Sequence, residues 1–399
     1  MNAETAKKDI DKKLLLLMAI AGGVVVANIY YIQPLLGEVA AYFRVSAAKV
    51  GIVATLTQLG YASGLFFLLP AADLCNRKRL ITSTLLICVA ALLLMLVSKS
   101  FIFTALICYC VGFTSMVPQL LIPLASQLSL PENTGKNLGT VISGILIGIL
   151  ASRVFSGLIG GFFVWKSIYL LAAVLIVVLD VVLYLFIPTT ETVNTGIKYG
   201  ASLKSLLKLP GKYPVIRHAA VNSAIVFGLF SMFWTTLTLY LGSTKFNFDA
   251  GKIGLFGLFG IAGAVFAPMA GKMSDKKGTD YTLLFHMIVI AIAFLVFAIF
   301  GSHIGGIIVG IVLLDYGVQC CNVANQARIQ TLSNTERNRI ASVFMVSTFL
   351  GGAVGSSIGT TVYAYWGWAG FVTVGTILMI LALVLHILQY HRHERRDSK

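Results

Sequence analysis

The sequence predicts an all-α membrane protein of twelve transmembrane helices, arranged as two parallel six-helix pseudo-repeats. Three observations predict it. Hydrophobic residues make up 58% of the 399 and charged residues only 11%, against about 25% charged in soluble domains. Mean hydropathy is +0.89, and apolar runs of about 20 residues, the length that crosses a bilayer, recur along the chain. The second half also repeats features of the first at a nearly constant offset. A soluble all-α chain could not hide so much apolar surface.

The apolar runs fall at about 14–36, 49–71, 80–98, 101–127, 138–162, 166–187, 216–242, 251–272, 281–301, 304–330, 339–363 and 367–390. The first follows Lys7, Lys8, Lys12 and Lys13 and continues through Leu36 without a small-residue cleavage site, so it reads as an uncleaved helix. Most connections are short. The exception, 188–215, is polar and carries Lys198, Lys204, Lys208 and Lys212. It divides the chain into a half at 1–187, a cytoplasmic central loop at 188–215 and a half at 216–399. With the N-terminus in the cytoplasm, 23 of the 30 basic residues lie in inside segments, six lie outside and Arg153 lies within a span. That asymmetry orients the chain with both termini cytoplasmic. It also accounts for the net charge of +15 without any nucleic-acid partner.

The repeat is visible residue by residue. VSAAKVG at 45–51 is answered by FDAGKIG at 248–254, and Asp73 with Arg77 and Lys78 by Asp275 with Lys276 and Lys277. VPQ at 117–119 is answered by GVQ at 317–319. Each half holds an even number of spans, so the copies share one orientation. Parallel six-span repeats place a substrate site between the halves, near the membrane midplane.

Polar residues inside the spans then mark that site. Asp315, Gln319, Asn322 and Gln326 recur at spacings of four, three and four, which puts them on one face of the tenth span. An ionisable side chain in hydrocarbon is costly, so this face must look onto protein or water. Asp315 lies about 16 Å into its span and Arg153 about 22 Å into the fifth, counting the helical rise. Asp315 at that depth suits a proton-coupling carboxylate, and Arg153 an anion anchor or a charge partner. Asp180 in the sixth span competes for the proton role. Asn28 and Tyr31 share a face of the first span, Gln58 adds an amide in the second, Gln119 pairs with Gln319 by repeat, and Trp234 belongs to the seventh. Together these residues form a candidate wall for a small, partly apolar ligand. The glycines from Gly144 to Gly161 and from Gly351 to Gly359 read as helix-packing positions.

Residues 69–79 (LPAADLCNRKR) resemble the signature of the major facilitator superfamily between spans two and three, roughly G-x-L-A-D-R-x-G-R-[KR], and 271–278 (GKMSDKKG) is its second copy. Pro70 replaces the leading glycine region, and Asn76 stands where glycine is common. The segments at 28–35 and 317–326, and those around Gln119 and Arg153, are similar to bacterial efflux permeases of that superfamily. Residues 148–161 partly resemble the glycine motif of drug/proton antiporters but lack its proline. The resemblance implies the major facilitator fold, with spans one, four and seven lining the cavity and three, six, nine and twelve at the periphery. It assigns gating to Asp73, Arg77 and Asp275. An anion at a span end can accept N–H bonds from a neighbouring helix N-terminus.

The expected activity is secondary active transport of a small organic molecule by alternating access, with proton-coupled efflux favoured. The alternatives are proton-linked import or facilitated passage of a sugar, amino acid or organic anion, and, from another class, a non-transporting sensor or membrane enzyme. No G-x-x-x-x-G-K-[ST] loop, TVGYG filter or H-E-x-x-H motif occurs, so nucleotide hydrolysis, potassium conduction and a metal centre are not expected. The six cysteines have neither zinc nor disulfide-framework spacing. The expectation is therefore a monomer in a bacterial cytoplasmic membrane, with no cofactor or catalytic residue, whose partners are its substrate, protons and the lipid bilayer.

Overall fold

The structure is a computed structural model that describes residues 9–72, 74–188, 199–330, 332–333 and 336–397. Among them the chain is helical: α1 Lys12–Ala27, α2 Leu36–Phe43, α3 Ala47–Ala71, α4 Arg77–Val97, α5 Phe101–Thr114, α6 Pro118–Leu128, α7 Thr134–Phe162, α8 Ser167–Phe186, α9 Tyr199–Lys212, α10 Pro214–Leu241, α11 Ala250–Leu255, a 3-10 segment Phe256–Gly260, α12 Ile261–Lys277, α13 Thr279–Phe300, α14 Ile304–Gln330 and α15 Arg337–Asp397. Among the described residues nine helices are long and apolar enough to cross a membrane. The count falls short of the twelve expected spans at three places. The first passage unwinds after Ala27, and the eighth is broken by the 3-10 segment. The last two count as one because a single residue, Gly367, separates them.

Gly367 has φ 60° and ψ −155°, a conformation that a side chain would strain. The chain reverses there. Before it, α15 runs alongside α10, with Ser223 bonded to Thr348 at 2.7 Å and Tyr363 donating to the Leu239 carbonyl at 3.3 Å. Beyond it, Trp368 donates to the Phe297 carbonyl at 3.2 Å, and His386 lies 3.0 Å from the Asp280 carbonyl. This stretch therefore descends against α13.

Local chemistry explains the other boundaries. Ser46 caps α3 by accepting the Lys49 N–H at 3.3 Å, and Asp249 caps α11 by accepting the Lys252 N–H at 2.8 Å. The repeated sequence thus performs the same act twice. Asn76, the departure from the signature, caps α4 through the Arg79 N–H. Pro34 removes a backbone donor, and residues 28–36 are held mainly by three-residue turns instead of helix. Gly257 and Gly260 are spaced by three, the period of the 3-10 segment that holds them, and Gly254 stands three residues before, in α11.

The apolar interior falls into two large clusters, one drawn chiefly from residues 10–187 and one from 226–382. The central connection is more than a polar linker. Leu206 and Leu209 of α9 pack with Ile216, Ile329, Ile340 and Phe344. Tyr199 donates to the Phe67 carbonyl at 2.9 Å, so α9 touches both sides of the molecule.

Candidate functional site

The end that carries Asp9 and the basic connections is here called inner. At the outer end the two clusters close on each other. Gly157 of α7 meets α11 so tightly that a Cβ there would lie 2.5 Å from the Ala250 carbonyl oxygen. On the opposite side α3 meets α15. Gln58 donates to Ser356 at 2.8 Å and accepts from Ser231 at 3.1 Å, and the Tyr61 and Phe349 rings lie 4.3 Å apart. Further along the same helices the contact gives way to a cavity of about 410 Å³, lined by Leu65 and Leu69 on one side and Ser342 and Met345 on the other. The halves are closed outside and parted inside.

At the closed level sits a buried polar arrangement drawn from both clusters. Arg153 of α7 is 2% exposed. Its Nε donates to Gln33 Oε1 at 3.0 Å, and its guanidinium carbon lies 4.3 Å from the Trp234 ring, 4.9 Å from Tyr30 and 5.4 Å from Phe230. Trp234 reaches the other way, with Nε1 3.4 Å from Asp315 Oδ1. Asp315 is 4% exposed. One indole therefore touches a buried cation with its face and a buried carboxylate with its edge. Among the described residues each charge keeps one atom without a hydrogen-bond partner, Arg153 Nη2 and Asp315 Oδ2. A guanidinium over aromatic faces gains cation–π attraction of about 2 kcal/mol or more when desolvated, but orphaned buried polar atoms are destabilising. The arrangement is poised rather than satisfied.

Backbone without side chains makes room for it. A Cβ on Gly257 would lie 3.0 Å from Arg153 Cβ, and one on Gly260 would lie 2.8 Å from Asp315 Oδ2. Arg153, Gln33 and Tyr30 come from the first half, whereas Asp315, Trp234, Phe230 and the 3-10 segment come from the second. The interface between the halves thus runs through the charge pair.

The other expected residues are placed as follows. Gln319 and Asn322 are half-buried below Asp315 on α14, and Gln326 donates to Asn322 at 3.5 Å. Gln330 lines the cavity. Gln119 also lines it and donates to Tyr61 at 3.4 Å. Gln58 bonds across the halves, as described above. Asn28 bonds to Cys88 of α4 at 3.7 Å rather than to the Arg153 cluster, and Tyr31 is buried. Arg77 lines the cavity and bonds to Gln127 at 3.1 Å. Asp275 is exposed, and Asp73 lies outside the described residues. Asp180 of α8 is buried, and its Oδ1 has no hydrogen-bond partner among the described residues. The described cavity lining comes from spans two, four, five, ten and eleven, from α9 and from Arg77 at the start of α4. Spans one and seven supply the Arg153 cluster above it.

Gln33, Tyr30 and Phe230 were not singled out by sequence reasoning. Gln33 carried a signal, an amide before a proline within an apolar stretch. The glycine triplet at a spacing of three carried another. The Asn222–Asn325 bond at 3.0 Å also escaped, since Asn325 lies off the Asp315 face.

Two helical clusters that close at one end and part at the other, with opposite charges buried between them, are the build of a membrane transporter. The chain belongs to the Major Facilitator Superfamily, whose sequence pattern matches residues 18–321 and again 219–399. It is 35% identical over 386 residues to the uncharacterized transporter YgaY of Escherichia coli O157:H7, covering 97% of this chain and 98% of that one. It is 31% identical over 366 residues to the transporter SCO4007 of Streptomyces coelicolor, covering 92% and 85%. In fold it is similar to a bacterial homolog of the human lysosomal transporter Spinster, with a TM-score of 0.78 at 12% identity, covering 95% of this chain and 96% of that one. It is also similar to the nucleoside transporter NupG, with a TM-score of 0.67 at 15% identity, covering 94% and 98%.

Proposed function

We propose that this transporter is a proton-coupled exporter of small organic molecules in a bacterial cytoplasmic membrane, working as a monomer with both termini in the cytoplasm. The observation that carries the reading is the Arg153–Trp234–Asp315 arrangement, split between halves at the level where the outer end closes. When the outer ends part, Arg153 leaves with the first half and Asp315 stays with the second. Asp315 then faces outside without its cation and takes up a proton. Closure returns the guanidinium, which competes with that proton for the carboxylate. The displaced proton leaves past Gln319, Asn322 and Gln326 toward Gln330 and the inner cavity. Substrate enters the cavity from the cytoplasm, where Gln119 faces it. Arg77, Asp73 and Asp275 gate the inner end in this scheme.

Reconstitution in proteoliposomes tests this. An imposed gradient, acid outside, should drive substrate out of the compartment facing the inner end. Asp315→Asn should lower gradient-driven flux at least about tenfold while leaving gradient-free exchange. Flux indifferent to the gradient in the unaltered protein would end the proton reading. Loss of coupling in Asp180→Asn but not Asp315→Asn would move it to the sixth span. The competing reading is proton-linked uptake of an organic anion, for which Arg153 would be the anchor. The direction of flux separates the two.

A further inference from the structure

We infer that α9 lies in the membrane surface at the inner end, binds anionic phospholipid headgroups through Lys204 and Lys208, and so holds the inner ends parted. The helix has three sectors. Ser202, Leu206 and Leu209 are buried against the molecule. The next sector is apolar but turned away from that packing, with Leu207 70% exposed and Leu203 half-buried beside it. The third carries Lys204 and Lys208, both exposed and four residues apart. Lys212 continues their spacing but is engaged within the protein, bonded to Glu336 at 2.7 Å. Among the described residues no ion pair involves Lys204 or Lys208, and α9 contains no acidic residue.

The attachment of α9 sets its level. The Tyr199 hydroxyl donates to the Phe67 carbonyl at 2.9 Å, and α3 ends at Ala71. By the helical rise, Phe67 lies about 6 Å inside that end, and its ring is exposed. Tyrosine is favoured at that depth, where hydrocarbon gives way to headgroups. A helix with an apolar flank and a basic flank lies along such a surface, and phosphate complements the lysines. The same helix straddles the parted ends. Tyr199 ties it to α3 of the first half, while Ser205 accepts from Arg339 of the second at 3.4 Å and Leu206 and Leu209 pack with Ile340 and Phe344. The inner ends cannot close unless α9 slides on one of them. Headgroups that hold α9 in its seat therefore favour the parted shape.

The test places the purified full chain in nanodiscs of phosphatidylcholine, alone or mixed with phosphatidylglycerol, and reads amide hydrogen exchange. Phosphatidylglycerol should slow exchange in residues 199–212 at least about fivefold, the gain from one lysine at an anionic surface. Lys204→Gln with Lys208→Gln should erase that difference. Lys272→Gln with Lys276→Gln, which removes as much charge from exposed positions of the inner end, should keep it. Each variant is compared with itself across the two lipids, so altered intrinsic exchange cancels. In the same discs phosphatidylglycerol should slow cross-linking of a cysteine pair at 65 and 345, which face each other across the cavity. Equal exchange in the two lipids for the unaltered chain, a difference that survives Lys204→Gln with Lys208→Gln, one that both double variants lose alike, or a cross-linking rate indifferent to lipid would overturn the inference. The unaltered chain decides even if a variant fails to fold. No substrate or gradient is present, so the result is independent of the direction and coupling of transport.

Discussion

Trp234 decides how the two buried charges sense each other. Its ring face meets the cation and its Nε1 edge meets the carboxylate, so either charge can be exchanged for a proton or water while the other keeps its own contact with the indole. A second carboxyl sits just beyond the first span. Glu38 is pushed up to about 7, first by burial and then by the negative charge of Asp249 across the interface. The pKa is raised in the closed state, so closure takes up a proton there. The closed state is therefore favoured fully below the ordinary carboxyl range and loses that advantage as pH rises through about 7. Asp249 and Lys252, which lie 3.6 Å apart, face this position from α11. Glu38→Gln should flatten the pH dependence of outer closure between pH 5 and 8, read by the fluorescence of a probe on the outer rim. An unchanged profile would remove Glu38 from that role. Asp315 was legible from sequence because a carboxylate at helical spacing in an apolar run has few explanations. Gln33 was hidden because the backbone that aims it is not helical.

The α7–α11 contact is the element on which outer closure depends. Glycines that the sequence suggested for packing serve two purposes. Gly144 and Gly148 bring α7 against α1 within one half, while Gly157 and Gly161 bring it against α11 of the other. The sequence displays one ladder, and nothing in its spacing tells which rungs lie within a half and which between halves. A side chain at Gly157 has no space, and overpacking costs about 1–3 kcal/mol. Gly157→Leu should wedge the outer ends apart, raising amide hydrogen exchange in residues 250–260 and sparing peptides of the inner ends. Unaltered exchange at 250–260 would mean that this contact does not hold the gate. The 3-10 segment beside it follows the same logic, since its two glycines, Gly257 and Gly260, leave backbone where side chains would collide with Arg153 and Asp315.

Taken whole, the molecule alternates contact and separation along two helix pairs. Gln58 with Ser356 marks the closed level, and Leu65 with Met345 borders the cavity. A cysteine pair at 58 and 356, in a chain freed of its six native cysteines, should cross-link and stop transport until reduced. A pair at 65 and 345 should cross-link only when the inner end closes. Cross-linking in the reverse pattern would contradict the resting shape described above. The two halves were legible in the sequence through repeated motifs, among them the stretches that hold Ser46 and Asp249, which turn out to cap α3 and α11 alike. Which end is closed was not legible, because both shapes bury the same apolar faces within each half.

The turn at Gly367 bears on how such a molecule moves. With one residue joining two membrane passages, the outer rim there has no slack. The passage that borders the cavity and the one that leans on α13 must swing as a single stiff lever. The two ends of that lever lie together at the inner side, where His386 meets Asp280.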